Sequence, residues 1–404
     1  MRGSTLGCTG RERNREHAPP IEHGCRQRNH EDIKRGHPWA CPGKLRMSYV
    51  PVYRQERRPS MARHYIGADV HAATTDLAFE RNQRIVKRLR VPTTIPALRE
   101  ALGSVAGTKR LVIEEGPMAD WLWRNLKGDV EQMVVCDPRR NRLVSGDGDK
   151  DDRIDAAKLA ELLRGDFLRP VHHPQSEERA ELKRWVALYH DRVRQAVREV
   201  NKIRMLGRQY GLRVPGRVLK GRKAQRVWLG ELPRLAVAKQ LGVLLRGYEA
   251  MRQQVAAVKK ELGRLAAGEE VVGRWSELPG VGLIRAVTLL AYLDTPWRFQ
   301  KITKLWKYCG IGLERCSSGT DKQGKPKPPR LQLAWRVNRR LKDVVVGATL
   351  SAMRQKDTPF ARMYERLVQQ GLTAGNARHA VCRKLLGVLW GMWKNGSRYE
   401  PDRV

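Results

Sequence analysis

From Tyr65 onward the apolar and polar positions alternate with a strand-like period over residues 64–70, 74–80 and 84–91, and short polar turns separate the three stretches. The pattern predicts three consecutive β-strands. A helix follows from about Ile95 to Val105. Leu111–Glu114 then reads as an apolar strand, Met118–Leu126 as a short helix, and Gln132–Cys136 as another strand. Residues 144–151 carry the glycines and aspartates of a flexible loop, and 152–164 returns to helical periodicity.

Downstream the period changes. Across 176–265, Leu182, Val186, Leu188, Val193, Val197 and Val200 recur at near-helical spacing among Arg, Glu and Lys. A break near Tyr210–Val214, followed by Pro215 and Gly216, separates this helix from a second near 233–267. The pair predicts a helical hairpin or coiled coil that serves either as a dimer contact or as a plain spacer. Leu278-Pro279-Gly280-Val281-Gly282 precedes an apolar helix, Leu283–Leu293. It resembles the hairpin of helix–hairpin–helix modules, whose backbone amides meet phosphate. Lys301, Lys304 and Lys307 are interleaved with Trp297, Phe299, Trp306 and Tyr308. This fits phosphate contact by the lysines and core packing by the tryptophans. Arg339, Arg340 and Lys342 sit on a predicted helix and are further candidates for nucleic-acid backbone contact, while Leu385–Trp393 reads as core. The expected fold class is therefore multidomain α/β plus α. An RNase H-like first domain, with three antiparallel strands and then strand–helix alternation, is followed by a helical middle and a mainly α C-terminal domain.

Charge changes the picture most. The 404 residues hold 79 Lys+Arg against 42 Asp+Glu, a formal net charge of +37. An excess of this size along the whole chain points to a polyanionic partner, DNA or RNA. No apolar run reaches the roughly 18–20 residues that span a bilayer. Met1–Arg15 lacks the apolar segment of a signal peptide, so the expected location is cytoplasmic, at the nucleoid. The seven cysteines follow no disulfide framework. Cys8, Cys25 and Cys41, with four nearby histidines, lack the close pairs of zinc knuckles. Residues 1–60 show neither period and read as a disordered basic extension; Met61 or Met47 is the expected true start.

Against this basic background four acids stand out. Asp69 and Glu114 end predicted strands, and Asp152 and Asp155 lie three apart on a predicted helix, hence on one face. Carboxylates converging from strand ends and a helix suit hard cations such as Mg2+ or Mn2+. Such ions serve phosphodiester chemistry, whereas four close carboxylates without one repel each other. The competing reading pairs these acids with the abundant Arg and Lys.

Taken together, the residues from about Tyr65 to Tyr399 resemble the DEDD transposases of bacterial insertion sequences, the bridge-RNA-guided recombinases that also include the Piv-type DNA invertases. Lys150 with Asp151-Asp152-Arg153-Ile154-Asp155-Ala156 is similar to the family's Lys-x-Asp-Arg-x-Asp-Ala signature. Gly310-Ile311-Gly312-Leu313, then Ser317-Ser318-Gly319, resembles its Gly-Leu-x-Pro and Ser-Ser-Gly segments, although Glu314 departs from the usual proline. The resemblance implies a RuvC-like tetrad of Asp69, Glu114, Asp152 and Asp155, with Glu115 as alternative to Glu114. It implies Ser318 (or Ser317) as the nucleophile that attacks DNA and forms a phosphoserine intermediate. It also implies a structured guide RNA and assembly as a homodimer or homotetramer.

The expected organisation is a RuvC-like catalytic domain over 61–170, a helical coiled-coil or dimerisation region over 171–270, and a C-terminal transposase domain over 271–404 carrying the serine loop. The alternatives are a RuvC-like nuclease of the junction-resolvase type that uses water, and a non-catalytic nucleic-acid-binding remnant.

Overall fold

The computed structural model describes residues 63–138, 152–174, 176–316, 325, 330–335 and 337–403, with the side chains of Asp152, Arg153 and Arg403 outside that description. The predicted basic extension and the loop at 144–151 also fall outside it.

The first body is a sheet of five strands: β1 (Arg63–Val70), β2 (Thr74–Arg81), β3 (Arg84–Pro92), β4 (Thr108–Glu114) and β5 (Gln132–Cys136). Their order is β3-β2-β1-β4-β5. The first three strands run antiparallel, while β1, β4 and β5 run parallel. The parallel connections are bridged by α1 (Ile95–Gly103) and α2 (Ala119–Leu126), as parallel strands require. Strand β4 starts at Thr108, earlier than its apolar run, because Thr108–Arg110 pair with Arg63–Tyr65 of β1.

Alternation assigns the sheet two faces. Ile66, Ala68, Leu77, Phe79, Leu111 and Ile113 pack with Leu98 and Leu122 under α1 and α2. Val112, Val134 and Cys136 pack with Leu159 and Leu163 of α3 (Asp152–Arg164) on the other face. The strand order and the helices on both faces are consistent with an RNase H-like arrangement.

Two long antiparallel helices follow, α4 (Glu177–Gln209) and α6 (Leu235–Leu265). Ser176 caps α4 by accepting the Arg179 amide, which satisfies one of the orphan donors of the first turn. The connector is more than a break: a 3-10 turn at Gly216–Leu219 and α5 (Arg222–Gly230) fold against both long helices. Ile203, Val218, Trp228, Val237, Leu241 and Leu245 form a separate small core there.

The C-terminal body contains α7 (Glu270–Ser276), α8 (Leu283–Leu293), α9 (Ile302–Tyr308), a ribbon of β6 (Leu313–Cys316) and β7 (Arg330–Leu333), then α10 (Arg339–Arg354), α11 (Pro359–Gln369) and α12 (Ala374–Asn395). Its core draws Trp275, Val287, Leu290, Leu341, Val345, Leu385 and Leu389 together. Leu385–Trp393 is thus core, as expected. Trp306 packs at the core's margin, whereas Trp297 is 54% exposed, so the core reading holds for the first and not for the second.

Candidate active site

Strand register brings the acids together. Ala68 lies opposite Ile113 on the parallel neighbours β1 and β4, so Asp69 and Glu114, one residue further on, end adjacent strands. Gly67 pairs with Val112, and Val112 faces α3. Two residues on, Asp69 and Glu114 keep that same side. Glu115 follows the strand, is exposed, and donates its backbone amide to the Cys136 carbonyl. Alternation therefore separates Glu114 from Glu115.

Helix α3 lies unusually close to β1. A Cβ on Gly67 would stand 2.0 Å from the Ala156 carbonyl oxygen and 2.6 Å from the Ala160 nitrogen. Only glycine permits this approach. It puts the first turns of α3, with half-buried Asp155, over the β1 end that carries Asp69. The Asp152 side chain lies outside the described residues, and so do Lys150, Asp151, Ser317, Ser318 and Gly319.

Two further side chains meet this cluster: His71, which stands two residues after Asp69 in the sequence, and Asp76, which reaches it only through strand register. His71 Nε2 is 3.0 Å from Asp69 Oδ2, so the histidine orients the carboxylate. Asp76 lies directly opposite Asp69 in the β1–β2 register and is almost fully buried. Arg90, opposite Asp76 on β3, clamps it at 2.8–3.0 Å. Asp76 is thus a fifth acid on the same face, already neutralised by a guanidinium fork.

Beside the strand ends opens a cleft of about 1070 Å³. Glu115, Asp137, Arg169 and Lys183 line one side. Tyr292, Arg298, Tyr308, Trp335, Asn338 and Arg339 line the other. Arg298 stacks over Tyr308 with 4.5 Å from guanidinium carbon to ring centre, and Arg340 stacks over Tyr292 at 5.5 Å. His172 Nε2 meets Asp294 Oδ2 at 2.7 Å along this boundary. Nearby, burial would raise the Asp120 carboxyl, but the hydrogen bond and charge of Arg124, with His173, outweigh it and hold the group below the usual range. The cleft thus joins the acid-bearing strand ends to Arg339, which was predicted from a segment far away in the chain.

The other predicted contacts are scattered over the C-terminal body. Lys301, Lys304 and Lys307 are exposed around α9, while Arg340 and Lys342 are half-buried on α10. Gly280 has φ +81°, and a Cβ there would stand 2.2 Å from the Ala348 carbonyl oxygen. Close packing on α10 therefore accounts for that glycine. Gly282 is exposed and caps α8.

All four predicted ligands are carboxylates, a donor set that fits a hard divalent cation. Among the described residues no group of three or more His, Cys, Asp or Glu is arranged to hold a metal ion.

Comparison with known proteins gives two family matches. Residues 66–211 match the family of IS110-type DEDD transposases, described as transposase. Residues 274–365 match the family described as transposase IS116/IS110/IS902. The "Insertion element IS110 uncharacterized 43.6 kDa protein" of Streptomyces coelicolor is 26% identical over 151 residues, 37% of this chain and 36% of that relative. The aligned stretch thus spans only about a third of the relative's length. The first match contains the acid-bearing sheet and α3, and the second contains the segment from α8 to α10. The chain belongs to the IS110 family of DEDD transposases.

Proposed function

We propose that the protein is a DNA transposase or site-specific recombinase that cuts and rejoins phosphodiester bonds, with a structured RNA directing it to its DNA. The observation that carries this reading is the convergence of Asp69, Glu114 and the first turns of α3 on one sheet face, beside a cleft lined by cations and aromatics. A chain of net charge +37 suits a polyanionic substrate read mainly through its backbone.

Asp69, Glu114, Asp152 and Asp155 are the residues that would hold Mg2+ or Mn2+. A bound divalent ion supplies neutralisation of the non-bridging phosphate oxygens and a lowered pKa for a coordinated hydroxyl. His71 fixes the orientation of Asp69 through its Nε2 contact. The Ser318 hydroxyl attacks phosphorus; one phosphorus–oxygen bond to sugar breaks as the serine–phosphorus bond forms. The number of ester bonds is conserved, so the step can be reversed to rejoin the strand. Arg339, Arg340, Lys342, Lys301, Lys304 and Lys307, with the amides at Gly280 and Gly282, hold the nucleic-acid backbone in this reading. Assembly as a homodimer or homotetramer uses the apolar side of the α4–α6 hairpin. There Val193, Val197, Val200 and Val255 line a groove of about 530 Å³.

The test is covalent trapping. Protein, Mg2+, element-end DNA and RNA transcribed from the flanking sequence are mixed and run on a denaturing gel. A protein–DNA adduct that disappears in Ser318→Ala and survives in Ser317→Ala is expected. Cleavage without an adduct would replace the serine with water, and binding without cleavage in any form would remove the catalytic reading.

A further inference from the structure

The far end of the helical hairpin carries cations and no acids. Between Val200 and Gly230 there are nine Lys and Arg and no Asp or Glu, and all nine cations are exposed. Elsewhere along α4 the charges alternate, and Asp191 and Glu199 pair with the cations around them. A solvated helix face normally mixes both signs in this way. The end of the hairpin does not. Among the described residues only Lys202 and Arg222 have acidic partners there, Glu199 at 2.7 Å and Glu249 at 3.9 Å.

These cations stand on a folded head rather than a tail. Ile203, Val218, Trp228 and Leu241 are buried in its core. Leu212 and Val214 fold back onto α4 at Gly207, where a Cβ would meet Val214 Cγ2 at 2.9 Å. The fold-back makes a groove of about 800 Å³, with Arg204, Arg208 and Arg213 on its walls and Gly211 to Gly216 along it. Trp228 is buried, which leaves Tyr210 as the exposed aromatic of the head among the described residues. A surface of exposed cations with so little to stack on suits a backbone whose bases are paired, not unpaired bases.

Position adds a length. Arg184 of α4 is tied to Asp120 of α2 beside the sheet. From Arg184 to Arg208 the helix rises about 36 Å at ~1.5 Å per residue, close to one turn of B-form DNA at roughly 34 Å. Most of the head, from residue 212 on, falls between the two family-matched regions.

We propose that this head is a second, sequence-independent DNA-binding surface that grips the phosphate backbone of duplex DNA about one turn away from the acid-bearing sheet. The proposal rests on the transposase reading for its choice of DNA.

The experiment measures binding of full-length protein to a duplex of arbitrary sequence by fluorescence anisotropy over a salt series. The variant replaces Arg204, Arg208, Arg213 and Arg217 with Gln; a second replaces the same four with Lys. Each lost phosphate contact removes about 0.9 from the slope of log K against log salt. The Gln variant is therefore expected to lose about 3 to 4 from the slope and at least tenfold in affinity, and the Lys variant to keep its slope. Acetylation of Lys220 and Lys223 in the unmodified protein gives a readout independent of any variant, and bound duplex is expected to protect both. Unchanged slope and unprotected lysines in a protein that binds duplex would overturn the head surface and leave the transposase reading standing. No binding of duplex by the unmodified protein would overturn both. A loss confined to duplex RNA would assign the surface to RNA and overturn its assignment to DNA.

Discussion

Gly67 of β1 touches Ala156 of α3 backbone to backbone, and this contact sets how deep the acid-bearing helix sits on the sheet. A methyl group at residue 67 would lie 2.0 Å from the Ala156 carbonyl oxygen, a distance no packing tolerates. Gly67→Ala must push α3 away or distort β1. Overpacking of this kind costs about 1–3 kcal/mol, and the same displacement separates Asp155 from Asp69. The expected outcome is a lower thermal midpoint together with loss of DNA cleavage at temperatures where the variant is still folded. A variant with an unchanged midpoint and full cleavage would mean that α3 is free to slide.

Asp76 separates structural from chemical acids. It shares the sheet face of Asp69 but is clamped by Arg90. Asp76→Asn weakens the fork and leaves the half-exposed Arg90 to water. A stability loss of about 1–3 kcal/mol follows, with cleavage retained when the protein is folded. Asp155→Asn is expected to do the reverse: little change in stability and a rate loss of at least about a hundredfold. Denaturant titration paired with a cleavage assay distinguishes the two. If Asp76→Asn abolished cleavage at unchanged stability, Asp76 would belong to the catalytic set.

The strands and helices of the first body were legible because each buries one face, which forces period-two or helical patterning on residues such as Ile66, Ala68, Leu111 and Ile113. The acids at strand ends were legible for the same reason. Three features were not. The Asp76–Arg90 pair depends on strand register, a tertiary property that no local spacing encodes. The ribbon β6–β7 consists of two four-residue strands, Leu-Glu-Arg-Cys and Arg-Leu-Gln-Leu, too short to carry a period. The head of the hairpin distributes its apolar residues among Pro215, Gly216 and Gly221, so its core looks like a break until the two long helices bring Ile203 and Leu241 against Val218.

His190 predicts how stability varies with acidity. Its ring lies between α4 and α8, with Nε2 3.0 Å from the Thr288 hydroxyl. Burial, reinforced by the charges of Arg340 and Arg194, lowers its pKa to about 4. The unfolded chain therefore binds this proton near pH 6.5 and the folded protein only near 4. Stability from this group is complete above about pH 6.5 and is lost as pH falls towards 4. Solvent reaching the half-buried ring limits the effect to about 1–2 kcal/mol. Thermal midpoints across this window should fall with acid in the native sequence and fall less in His190→Gln. Parallel pH profiles for the two proteins would remove His190 as the cause.

The hairpin's apolar side predicts self-association. Val197 is 53% exposed on α4, beside Val193 and Val200 and across from Val255 and Ala256 of α6. The groove they line runs between the two helices, has Arg252 and Lys259 on its walls, and reaches Arg204 at the edge of the cationic head. An apolar row of this kind loses most when it is left in water, at about 25 cal/mol per Å² of apolar surface. A second copy of the hairpin would cover it by pairing like with like, which is the geometry of an isologous dimer. Val197→Glu places a carboxylate in the centre of that seam, and burying it unpaired costs several kcal/mol. Sedimentation equilibrium should then show an assembly for the native sequence and at least a tenfold weaker one for Val197→Glu, with α-helical content unchanged. A native protein that stays monomeric across the accessible concentrations would leave the groove to another occupant. Equal association of both proteins would place the contact elsewhere.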